Sequence, residues 1–295
     1  MSEKFDVPFE SQLAPQKLDL STRFKFSCHK GISCFNACCK QANLTLTPYD
    51  VIRMKDRLEM GTGEFLKAHT VPFQMDQQGV PGIKMRTDDS GACLFVTEEG
   101  CSIYEDRPTA CRYYPLGHMA VKEADATTDS SYYFMINEDH CMGHKEDKEQ
   151  TIAEYRKELG IVDYDGYNKD WLDIQLKKRS AGPGVGNLPE STLQLFFMAS
   201  YDMDRFRRFV MSEQFRKTYE LDASTYEVLE KEDVALMQFG IRFMKQVFFG
   251  ERTIAEQTNA WEERVEQRQE VWDMRREAEI ARKQNQDDDM YKDES

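Results

Sequence analysis

All eight cysteines of this 295-residue chain, Cys28, Cys34, Cys38, Cys39, Cys93, Cys101, Cys111 and Cys141, fall in its first half. A thiol-rich stretch ahead of a thiol-free one constrains the fold more tightly than length or charge does. Thiols bind metal, pair as disulfides, carry redox chemistry or lie buried as small hydrophobes, and the compartment decides which. Residues 1–20 alternate charged, proline and apolar side chains without the apolar run of a secretory signal. No apolar stretch approaches the roughly 20 residues that cross a bilayer. We therefore expect a cytoplasmic protein without a membrane partner, whose thiols in a reducing medium favour metal over disulfides.

The chain carries 39 basic and 53 acidic side chains, a net charge of -14, and has no Lys/Arg-rich run, so nucleic acid is not an expected partner. Its 18 Phe, 13 Tyr and 15 Met exclude disorder throughout. At roughly 150 residues per domain, the length suggests two domains or one large one.

Patterning divides the chain into an N-terminal arm (1–23), a cysteine-rich region (24–150), a helical region (151–284) and an acidic tail (285–295). Residues 28–39, rich in Gly, Ser, Asn and Cys, lack a period and read as a loop held by its thiols. Thr47 is placed to cap a helix with Pro48 in its first turn and Val51, Ile52, Met54 and Leu58 on its apolar face, ending at Gly61. Short strands are expected around Ile83 and Met85, Leu94 to Val96, Met119 and Val121, and Tyr132 to Ile136. A short helix enters near Pro108 and stops at Pro115. Long helices are expected over 151–159, 168–179, 191–217, 223–248 and 252–284. Leu195, Phe196, Met198, Phe206, Phe209 and Val210 form a buried stripe in the third. The glycine-rich stretch after Ser180 lacks a phosphate-binding arrangement and reads as a connecting loop. The expected fold class is α+β: an irregular cysteine-rich metal-binding domain with short strands, followed by a mainly α-helical half.

The first cysteine group is Cys28-x5-Cys34-x3-Cys38-Cys39. Loops of three to five residues can turn two thiols toward one centre. Adjacent Cys38 and Cys39 project differently, so one of them can serve a second centre or stay free. In the second group, Cys93 and Cys101 flank a strand and turn, and Cys111 sits in the first turn of a helix, whose dipole favours a thiolate. Cys141 completes the eight, enough for two four-sulfur sites or for one cluster plus structural or reactive thiols.

The run Cys93…Gly100-Cys101-x-Ile103-Tyr104-x-x-Arg107-Pro108-x-x-Cys111-Arg112-x-Tyr114-Pro115, together with the Cys38-Cys39 pair, resembles the CxxCxxCC cysteine-cluster family, also called YkgJ-like, over residues 24–145. The first group departs from the name pattern, with gaps of five and three residues where the family name has two and two. The resemblance implies a zinc- or iron-chelating domain, and some relatives are linked to iron–sulfur chemistry and flagellin lysine methylation. It does not reach the helical half.

All eight cysteines are candidate metal ligands. An all-sulfur set suits zinc and iron alike. Since the paired C-x2–4-C of zinc sites is missing and irregular spacing tolerates a cluster, iron or an iron–sulfur cluster is placed first, with zinc as the alternative. His29, His140 and His144 adjoin cysteines and are candidates for a mixed site or, more simply, surface histidines, whereas His69 and His118 read as structural. Arg107 and Arg112 either stabilise an anionic thiolate cluster or pair with Glu105 and Asp106 at the surface. Tyr104, Tyr113 and Tyr114 read as shields against water. Asp88-Asp89, Glu98-Glu99 and Glu105-Asp106 read as solvated turn residues. The expected function is a structural or electron-transfer metal centre. The alternatives are a metal-dependent protein-modifying enzyme, for which no cofactor motif or catalytic residue stands out, and an interaction module that meets a protein partner through residues 252–284.

Overall fold

The computed structural model describes residues 16–41, 43–76, 79–121, 130–180 and 189–257. It is a mixed α+β fold in which four two-stranded antiparallel pairs occupy the cysteine half and helices dominate the remainder.

Strand β1 (Arg23–Lys25) pairs with β8 (Glu149–Thr151), so the two ends of the cysteine half meet. Residues just before β1 are also tied down: Leu18 exchanges backbone hydrogen bonds with Tyr133, and Leu20 and Thr22 accept from Ala153 and Ile152. Helix α1 (Pro48–Arg57) starts as expected. The Thr47 hydroxyl accepts from the Asp50 N–H while the Asp50 carboxylate accepts from the Thr47 N–H, a reciprocal cap that satisfies two otherwise orphaned donors. The helix stops at Leu58, and Gly61 does not end it but begins the next, α2 (Thr62–His69).

Strands β2 (Thr70–Gln74) and β3 (Pro81–Met85) form a hairpin. The short β4 (Val96–Thr97) and β5 (Gly100–Cys101) form another, with Val96 opposite Cys101. Helix α3 spans Thr109–Tyr113, and β6 (Leu116–Val121) then pairs with β7 (Ser130–Met135).

Helix α4 (Ile152–Glu158) is capped by Thr151 in the same reciprocal manner as α1. Helix α5 (Ile161–Ser180) begins seven residues before its expected start. Its buried stripe is Ile161, Tyr164, Asn168, Trp171 and Ile174, and the polar Asn168 conceals the period. The expected continuous helix 191–217 is three: α6 (Glu190–Tyr201), α7 (Met203–Met211) and α8 (Glu213–Thr218). Asp202 and Ser212 break it because their side chains accept from the Arg205 and Phe215 N–H groups and restart the backbone as N-caps. The expected 223–248 helix divides at Glu232 into α9 (Ala223–Lys231) and α10 (Asp233–Phe249). From 251 to 257 the described residues are not in the expected helix. Glu220 and Gln257 donate to Ala255 and Thr218, and Ile254 docks in the core. The rest of the 252–284 expectation lies outside the described residues, as do the 181–188 loop and the acidic tail.

One large core joins the halves. Leu46, Val51, Ile52, Met54 and Ile83 from the cysteine region pack with Phe196, Tyr201, Phe206, Phe239 and Phe243 from the helices. The Phe/Met stripe is therefore core, as its spacing indicates. A smaller cluster, Phe26, Tyr113, Leu116, Tyr133, Ile152, Tyr155 and Ile161, seals the β1–β8 end.

Candidate metal centre

The 28–39 segment is shaped by a chain of tight turns. Ile32, Phe35, Ala37 and Cys39 each donate to the carbonyl three residues earlier, so backbone bonds as well as thiols order the loop. Asn36 adopts φ 66° and its side chain donates to the Thr97 carbonyl, fastening the loop to the β4–β5 hairpin. Gly100, at φ 119°, sits under Phe35; a Cβ there would stand 3.2 Å from the ring, in a conformation that side-chain-bearing residues rarely adopt.

These anchors gather cysteines from distant stretches. The Ser27 N–H donates to the Gly143 carbonyl, bringing Cys28 to the turn that follows Cys141, and the Met142 N–H donates to the Cys34 sulfur at 3.1 Å. The Cys93 N–H donates to the Cys39 carbonyl at 2.8 Å. Asp50, fully buried, brings in Cys111: the carboxylate oxygen not used at Thr47 accepts from both the N–H (2.8 Å) and the hydroxyl (2.7 Å) of Thr109 at the start of α3.

All eight thiols are unpaired. Partial desolvation pushes Cys28 up to about 11, with further repulsion from Cys38, Cys34 and Cys141. Cys39 is raised because its thiol donates to Cys38, then by burial and by the charges of Cys38, Cys111 and Cys93. Cys38 receives that bond and falls to about 7. Burial raises Cys111, reinforced by Cys93, Cys101 and Cys38. This reverses the expectation that a helix dipole lowers it: α3 has only five residues, and desolvation outweighs so short a dipole. Cys93 and Cys101 are likewise raised by burial. The repulsions fall into two sets, Cys28, Cys34, Cys38 and Cys141 against Cys39, Cys93, Cys101 and Cys111, with Cys38 felt in both.

Other groups have partners elsewhere. His29 bonds Glu146 (3.1 Å), His140 faces Glu138 (3.6 Å), and His144 bonds the Ile136 carbonyl and packs on Phe26. His118 stacks between Tyr113 and Tyr133, and His69 lies between Phe65 and Phe95. Tyr113 and Tyr114 donate to Asp165 and Glu138, whereas Tyr104 is half exposed and shields little. Asp106 is not a solvated turn residue. It is buried and held by Arg53, with Arg57 at 4.0 Å, so neither Arg107 nor Arg112 pairs with it. Arg112 donates to the carbonyls of Glu105, Arg107 and Leu159 and to the Tyr164 hydroxyl, a buried clasp between α3 and the α4–α5 junction. Asp88 caps its own turn through Ser90 and Ala92, and Glu99 pairs with Lys30.

The donor chemistry of the thiols suits a soft or borderline divalent ion: sulfur donors whose mutual repulsion a cation would relieve, with the charges of Glu138 and Asp50 felt at Cys38 and Cys111. Among the described residues, no group of three or more His, Cys, Asp or Glu side chains forms a ready-made ion-holding arrangement. Residues 27–158 match the CxxCxxCC family model. Its description is "Putative zinc- or iron-chelating domain". The CxxCxxCC match begins at residue 27 and runs on through β8 and α4, past the 24–145 suggested by the motifs; Tyr155 of α4 packs edge-on against Phe24 and Phe26. Neither the curated proteins nor the solved structures give a match to the chain. No helix of the described residues is long and apolar enough to cross a membrane.

Within the CxxCxxCC domain, sequence reasoning missed Asp50 as the anchor of α3, Arg53 as the partner of Asp106, and Tyr155. Only the Thr47-x-x-Asp50 capping box signalled any of these, and it accounts for just one of the Asp50 oxygens.

Proposed function

We propose that the CxxCxxCC domain holds iron through Cys28, Cys34, Cys38, Cys39, Cys93, Cys101, Cys111 and Cys141, as an iron–sulfur centre with a structural or electron-transfer role in a reducing cytosol. The observation that carries this reading is that backbone ties bring unpaired cysteines from separate chain stretches together: Ser27 to Gly143 beside Cys28 and Cys141, Met142 to Cys34, and Cys93 to Cys39. Cys28, Cys34, Cys38 and Cys141 would hold one centre, and Cys39, Cys93, Cys101 and Cys111 the other. Bound there, the metal neutralises thiolate charge and, in the iron–sulfur form, supplies a one-electron couple. The chain fixes the ligand loops through the Asn36–Thr97, Cys93–Cys39 and Met142–Cys34 bonds and lowers the ordering cost of binding.

Anaerobic purification followed by metal and acid-labile sulfide analysis tests the proposal. Stoichiometric iron with sulfide is expected. Zinc without sulfide keeps the chelating role and rejects the cluster. A chain with no stoichiometric metal, whose circular dichroism ignores chelators, refutes both.

A further inference from the structure

Among the described residues, the buried charged side chains are Asp50, Asp106, Arg107 and Arg112. Three are compensated. Asp50 accepts from Thr47 and Thr109, Asp106 is held by Arg53, and Arg112 donates to three carbonyls and a tyrosine hydroxyl. Arg107 is the exception. It is only 8% exposed, yet among the described residues its guanidinium makes one hydrogen bond, to the Tyr104 carbonyl at 2.8 Å, and no carboxylate pairs with it. The Tyr104 ring covers its guanidinium at 3.8 Å, which attracts a cation but does not neutralise it. A guanidinium presents five donors and keeps its charge, and a buried charge without a counter-charge is costly.

The missing anion has a natural source. Arg107 follows the turn after Cys101 and directly precedes the helix that carries Cys111, so a buried cation stands in the chain between two of the thiol-bearing elements. Four thiolates around a divalent ion leave a net negative centre, so each such site offers what Arg107 lacks.

We propose that Arg107 is the built-in counter-charge of the thiolate centre, a positioning residue set in the chain between Cys101 and Cys111 that strengthens metal binding. This rests on the chelating reading. Binding releases thiol protons to solvent and leaves the oxidation states of metal and protein unchanged.

The test uses the full chain, metal-free and reduced, with zinc(II) as probe in competition with a chromophoric chelator. Arg107→Met is expected to weaken zinc binding roughly 10- to 100-fold, and Arg107→Lys, which keeps the charge, to stay closer to wild type. The same Arg107→Met protein without metal is expected to unfold at the wild-type temperature or above it, because an uncompensated buried charge has been removed. A merely packed arginine predicts the opposite pattern: a lower unfolding temperature without metal, or outright failure to fold, and equal losses for Lys and Met. Either that pattern or unchanged zinc affinity in Arg107→Met overturns the proposal. A wild-type chain that binds neither zinc(II) nor iron(II) defeats the chelating reading itself, and does so before any variant is compared.

Discussion

Replacing Asp50 with Asn changes one atom at the joint between α1 and α3, and the structure gives the cost. One carboxylate oxygen accepts from the Thr47 N–H at 2.8 Å, and the other accepts from the N–H and hydroxyl of Thr109 at 2.8 and 2.7 Å. An amide can supply only one acceptor. Keeping its oxygen on Thr109 preserves two bonds but turns the NH2 toward the Thr47 N–H, donor against donor, in a fully buried site. The lost cap is worth about 1 kcal/mol, and the unsatisfied pair adds about 1–3 kcal/mol. Easier burial of an uncharged side chain offsets part, since desolvation raises the Asp50 carboxyl. We expect a net loss of about 2–3 kcal/mol. Thr47→Ala, which removes only the hydroxyl that accepts from the Asp50 N–H, should cost about 1 kcal/mol. Urea unfolding of both variants, at unchanged denaturant slope, reads the difference. Faster alkylation of Cys111 in Asp50→Asn should accompany it. If Asp50→Asn costs no more than Thr47→Ala, the carboxylate does not hold α3 and the account of how Cys111 is placed fails.

Phe206→Ala should cost about 3–5 kcal/mol, because the ring is fully buried among Phe209, Phe239 and Phe243. Since that core also contains Val51, Ile52 and Ile83, near-ultraviolet dichroism and thiol exposure should shift together, and separate transitions would contradict a shared core. Burial lowers the His118 pKa below its ordinary 6.5. The unfolded chain therefore takes up a proton first, and stability should fall as pH drops through the ordinary histidine range near 6.5. His118→Phe should flatten that slope, with a remainder from His69, which burial also lowers. An unchanged slope would show that His118 does not titrate against folding.

The features legible in the sequence were the ones written in consecutive residues. Thr47-Pro48 announced a helix start, and the strand positions around Ile83, Met119 and Val121, and Tyr132 lay close to where pairs form. The block from Cys93 to Pro115 located the family. What escaped depended on partners far along the chain. Nothing beside Arg112 reveals that Leu159 and Tyr164 receive its donors, and nothing beside Asp106 reveals Arg53. The breaks at Asp202 and Ser212 were missed for another reason: the apolar stripe continues through both, and only the capping side chains show that the backbone turns.

The core that joins the halves also dictates how the metal-binding region can be handled. A chain ended at residue 150, the expected end of the cysteine-rich region, would lay bare the faces of Leu46, Val51, Ile52, Met54 and Ile83 that Phe196, Phe206 and Phe239 cover. Such a fragment would stick to itself, so the thiol chemistry of residues 28–141 has to be studied on a chain that retains helices ending a hundred residues later.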